Sequence, residues 1–138
     1  MTRYTINDAR EAIYSAFVTG WADAAPYTFE NENFDPPAGA AWVRLSVRHR
    51  AAVTDTLGVT SKRKVLRIGG AVLQIFTPRD QGMQEADELA ETFRSIFEGK
   101  TITPATLWFT TVSTREAGPD GEWLMLVCDA SFTYNDEI

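Results

Sequence analysis

The residue types that usually carry catalysis are scarce in this chain. His49 is the single histidine and Cys128 the single cysteine, so neither an internal disulfide nor a cysteine-based metal cage can form. No serine or cysteine stands in a G-x-S-x-G nucleophile elbow. His49 falls at the end of a strand-like run, where a lone imidazole reads as structural; Cys128, set among apolar residues, reads as a small buried hydrophobe. Gly69-Gly70 lies inside a strand pattern and Ser61-Lys62-Arg63-Lys64 has no glycine frame, so neither makes a phosphate loop. Glu30, Glu32 and Asp35 offer oxygens to a hard cation, but alternate side chains on a strand face opposite ways, and EF-hand spacing is missing. Asp87 and Glu91 read as solvated carboxylates on the outer face of a helix. The expectation is a protein with no catalytic residues, no cofactor and no metal.

The chemistry the chain does carry is charge. Lys and Arg number 13 and Asp and Glu 19, for a net −6. Between Ala41 and Gly70, seven bases (Arg44, Arg48, Arg50, Lys62, Arg63, Lys64, Arg67) meet one acid, Asp55, which makes that window +6. The six bases and eighteen acids outside it make the remainder −12. A surface so divided lets a basic patch on one copy meet an acidic patch on another copy or on a partner. DNA recognition fits less well. Trp42 is the one aromatic interleaved with the basic run, and sequence-blind DNA binders carry a basic balance overall.

With 138 residues, 44% apolar and 23% charged, the chain has the size and make-up of one globular domain, residues 1–138. Its uncharged stretches reach at most 14 residues (Thr101–Thr114), with 11 in Ile68–Pro78. A membrane-spanning helix needs about 20 predominantly apolar ones. The segment MTRYTINDAR has no apolar signal core, which predicts synthesis and retention in the cytoplasm.

All six prolines fall between periodic segments. A first helix is predicted from near Asn7 to Gly20, capped by Asn7 or Thr5 and stopped by Gly20 and Pro26. A second follows Thr77-Pro78-Arg79-Asp80, with Met83, Ala86, Leu89, Ala90, Phe93, Ile96 and Phe97 on one apolar stripe and Gly99 beyond its end. Strands are predicted over Tyr27–Phe34, Ala41–Arg50, Val65–Phe76, Leu107–Val112 and Trp123–Tyr134. In the second of these, Val43, Leu45 and Val47 point one way while Arg44, Ser46, Arg48 and Arg50 point the other. Gly69-Gly70 marks a bulge or a close approach, and Arg115–Glu122 forms an acidic hairpin turn. The expected fold is α+β, in the order α-β-β-β-α-β-β, with a mainly antiparallel sheet of about five strands and two helices packed on it. Ala51–Lys64 is long for a hairpin connection and reads as a projecting arm.

These features occur in an order that resembles the tail terminator, or tail-completion, proteins of long-tailed bacteriophages and prophages. The resemblance rests on P-Y-T-F-E-N-E-N-F (Pro26–Phe34) and W-V-R-L-S-V-R (Trp42–Arg48), then R-x-G-G-x-x-x-Q-I-F-x-P (Arg67–Pro78) and G-x-x-x-A-D-x-L-A-x-x-F-R-x-x-F (Gly82–Phe97). It spans almost the whole chain. It implies a structural subunit that forms a hexameric ring on the tail tube within the virion, ends tube polymerisation and presents the head-docking surface. The implied partners are further copies of itself, the tail tube protein, a head-completion or connector protein, and DNA passing through the ring without sequence recognition. Contact with acidic neighbours or the tube end, or lining of the channel through which DNA passes, would fall to Arg44, Arg48 and Arg50 on the exposed strand face, with Lys62, Arg63, Lys64 and Arg67 beside the arm. Another neck or baseplate protein is the nearest alternative. A small-molecule-binding domain using Trp42, Trp108 and Trp123 is a more remote one.

Overall fold

The computed structural model describes residues 4–54, 64–102 and 107–137. The elements run α1 (Ile6–Trp21), β1 (Tyr27–Phe29), β2 (Trp42–Thr54), β3 (Lys64–Pro78), α2 (Gln84–Phe97), β4 (Thr101–Ile102), β5 (Leu107–Asp120) and β6 (Trp123–Glu137). They build one mixed sheet of order β1-β2-β3-β6-β5-β4. The α+β class and both helices agree with the sequence pattern. The sheet has six strands rather than about five, because the two-residue β4 is too short to leave an alternation. The first strand is also shorter than expected and runs parallel to β2. Residues 30–41 separate the two, long enough for the chain to cross back instead of turning as a hairpin.

α1 begins in a capping box: Thr5 Oγ1 accepts the Asp8 N–H and Asp8 Oδ2 accepts the Thr5 N–H, both at 3.0 Å. Gly20 does not end this helix. α1 continues to Trp21 and stops where Ala22 turns left-handed, at φ +47°. Gly20 serves packing instead, since a Cβ there would lie 2.7 Å from the Ile96 side chain of α2. α2 buries Ala86, Leu89, Ala90, Phe93 and Phe97, the predicted stripe, with Met83 and Ile96 partly covered beside it.

Both helices pack on one face of the sheet. The core joins Ile13, Phe17 and Trp21 of α1 and Phe93 and Phe97 of α2 to Val43, Leu45, Leu73, Ile75, Leu126, Cys128 and Phe132. Burying each large side chain contributes about 1.5–3 kcal/mol, so this one layer contact fixes the helices to the sheet. The predicted turn at Arg115–Glu122 is mostly strand. β5 continues pairing to Asp120↔Trp123, and the chain reverses at Gly121-Glu122. An irregularity between Glu116 and Gly118, with Gly118 at φ +88°, lets the ladder run on. At the other end of the sheet, β2 extends through Ala51–Thr54 and β3 starts at Lys64, so both ends of the predicted arm are strand. Its middle, 55–63, lies outside the described residues.

Candidate interaction surface

The sheet face turned away from the helices carries the functional candidates. Strand alternation places Trp42, Arg44, Ser46 and Arg48 of β2 on it, opposite Phe76, Gln74, Val72 and Gly70 of β3. The next strands add Trp123, Met125, Val127, Asp129 and Ser131 of β6, then Ser113 and Arg115 of β5. One end is aromatic. Trp42 stacks on Phe76 at 4.2 Å between ring centroids, and Phe34 and Trp123 close around it. Arg44 lies over the Trp42 ring at 5.3 Å, a cation–π contact that holds it half-buried.

The middle of this face is charged. Across it, Arg50 binds Asp129 in bidentate fashion, Nη2 to Oδ2 at 2.6 Å and Nη1 to Oδ1 at 3.2 Å. That pair shares a cleft of about 410 Å³ with Arg48, Arg115, Ser113 and Ser131. Arg48 and Arg115 are exposed and make no ion pair among the described residues. The predicted basic cluster therefore divides. Arg44, Arg48 and Arg50 share the bare face. Arg67 sits on the helix-bearing side, where it binds the buried Asp136 at 3.1 Å. Lys64 is the exposed first residue of β3, and Lys62 and Arg63 lie outside the described residues. Sequence reasoning missed Arg115, which an assumed turn had removed from the sheet. It missed Asp129 as well, a part-exposed acid set in an otherwise apolar-looking strand pattern.

On the helix side, polar side chains close the sheet edges. Glu30 Oε2 accepts the Val47 N–H at 2.6 Å, and Arg10 Nη2 donates to the Val47 carbonyl at 3.1 Å. The other Glu30 oxygen accepts Arg10 Nε at 3.1 Å and the Tyr14 hydroxyl. Burial, then the hydrogen bond to Glu30, pushes the Tyr14 phenol well above its ordinary range. On the opposite edge, Glu98 Oε2 accepts the Val112 N–H at 3.0 Å while Arg94 Nε donates to Oε1 at 2.8 Å. Those bonds hold the Glu98 carboxyl below its usual value, Arg94 contributing most.

His49 and Cys128 have structural surroundings. His49 Nε2 is hydrogen-bonded to the Tyr134 hydroxyl at 2.8 Å, and the ring packs edge-on to Phe132. Burial, with Arg10 and Arg67 nearby, lowers its pKa. Cys128 is buried, its thiol pushed up by desolvation, with Thr114 Oγ1 at 3.6 Å. Among the described residues no group of His, Cys, Asp and Glu is arranged to hold a metal ion. No described helix is long and apolar enough to cross a membrane.

The comparisons agree with this α+β fold. One solved chain, 18% identical, covers 91% of this chain and 94% of its own length at a TM-score of 0.64. Another, from the virion of a native gene transfer agent (GTA) particle, is 18% identical at a TM-score of 0.56 and covers 94% of each chain. No curated protein matches the sequence. The model of the phage tail terminator protein family matches residues 8–132, and the chain belongs to that family. It is a structural protein of the phage tail.

Proposed function

We propose that copies of this chain close into a ring, a hexamer, on the end of the tail tube. There the ring stops addition of tube protein and presents the surface on which the head docks. The observation that carries this reading is family membership over residues 8–132. The like fold of a chain from a gene transfer agent virion supports it. A ring needs a heterologous contact, in which one patch meets a different patch on the next copy, and the separation of basic from acidic surface suits such a contact. The partners are then the neighbouring copies, the tube protein and a head-completion or connector protein. DNA would pass through the channel without sequence readout. The ring acts by docking, with no bond made or broken.

The test is electron microscopy of the protein mixed with tubes of its cognate tail protein, alongside phage lacking the gene. Rings on one tube end and over-long tails in the deletion are expected. Uniform tails without the protein would overturn the reading.

A further inference from the structure

We infer that the bare face of the sheet is a docking site for α2 of a second copy. This rests on the ring reading above and goes beyond it by naming the two surfaces that meet. The first is the face that no described helix covers. Arg44, Arg48, Arg50 and Arg115 stand across its middle, with Asp129 as the acid among them. Arg50 is already tied to Asp129, so Arg48 and Arg115 are the charges left to recruit a partner.

The second surface is the outer side of α2, which carries Asp87, Glu88 and Glu91 along a groove with Gln84 and Thr92. Glu91 is 70% exposed, and Arg94, the one base of α2, is tied to Glu91 and Glu98. Because both helices lie on one face of the sheet, the outside of α2 and the bare sheet face are two separate patches of each copy. Copy can therefore follow copy head to tail, leaving neither surface matched to itself, as a heterologous contact requires.

The dimensions agree. Arg48 and Arg115 are three strands apart and, by register, four residues apart along the sheet, a diagonal of roughly 20 Å. α2 has 14 residues, about 21 Å of helix. Opposite charges held along matching lengths steer the encounter and fix its register.

The experiment uses the whole chain, alone and on cognate tail tubes, with rings counted by electron microscopy and folding checked by circular dichroism. The double variant R48E/R115E should lose ring formation while keeping its fold, and D87K/E88K should do the same. Combining all four substitutions in one chain should restore rings, because every contact would again join opposite charges. In a second measurement, R48C protein mixed with E88C protein should give a disulfide-linked heterodimer, and R48C alone should not cross-link to itself. If wild-type protein forms rings and R48E/R115E forms them equally well, the face assignment falls and the ring stands. Self-linking of R48C would likewise overturn the assignment. If wild-type protein forms no ring alone or on tubes, the ring reading falls and takes this one with it.

Discussion

The Arg50 guanidinium spans strand β3 to reach Asp129 on β6, passing over Gly70, whose missing side chain leaves the space. A Cβ on Gly70 would lie 2.3 Å from Arg50 Nη1 and 2.4 Å from Asp129 Oδ1. Opposite, β2 bulges between His49 and Ala51, which swings Arg50 over the neighbouring strand. Glycine and bulge together put one ion pair across three strands.

The two adjacent glycines should differ in tolerance. At Gly70 the obstacles are ends of flexible, part-exposed side chains, so Gly70→Ala should displace the pair and cost about 1 kcal/mol or less, as exposed ion pairs do. At Gly69 a Cβ would meet the Arg48 carbonyl oxygen at 2.2 Å and Phe132 at 2.6 Å. Backbone cannot step aside as a side chain does, so Gly69→Ala should cost about 3 kcal/mol or more, at or beyond the upper end of overpacking. Urea unfolding of the two variants gives the comparison.

Asp136 should matter more than its place near the end of β6 suggests. Its side chain is 1% exposed, its Oδ2 binds Arg67 at 3.1 Å, and its Oδ1 accepts the Tyr4 N–H at 3.2 Å. Breaking a buried pair strands a charge and typically costs 3–5 kcal/mol. Arg67 keeps some water, at 27% exposed, so Asp136→Asn should cost less, about 2–3 kcal/mol. Asp129→Asn, which breaks the more open pair with Arg50, should cost under about 1 kcal/mol. Equal losses in thermal unfolding would refute the distinction.

His49 gives the fold a pH dependence of known sign. Its folded pKa lies below the unfolded value, so between the two the unfolded chain holds more protons. Stability then rises with pH, and it declines as pH falls below about 6.5, where an unfolded histidine protonates. As the sole histidine, it can be followed by proton NMR, where its midpoint should fall below that value. His49→Gln should flatten the change in melting temperature between pH 7 and pH 5.

The parts of the fold written as strong periodicity were legible in the sequence. The α2 stripe, the alternation of Val43, Leu45 and Val47 against Arg44, Ser46 and Arg48, and the close approach at Gly69-Gly70 all stand as read. What failed was punctuation. Gly20 looked like a stop but makes room for Ile96, and Gly118 and Pro119 looked like a turn but lie within β5. Both errors treat glycine as a breaker where tertiary packing or a bulge uses it. The basic window was legible as charge but not as a surface, because facing depends on register and on the bulge at His49/Ala51. Arg67 thus falls on the opposite side from Arg48, and Arg115 joins Arg48 from far along the chain.

The glutamates at the two margins of the sheet bear on how the protein survives before it finds a tail. Short β1 and β4 leave much of β2 and β5 without an outer neighbour, a fringe of the kind that seeds fibres. Glu30 occupies the Val47 amide and Glu98 the Val112 amide, each buttressed by an arginine. With those amides engaged, each open margin offers an incoming strand one donor fewer on which to zip up.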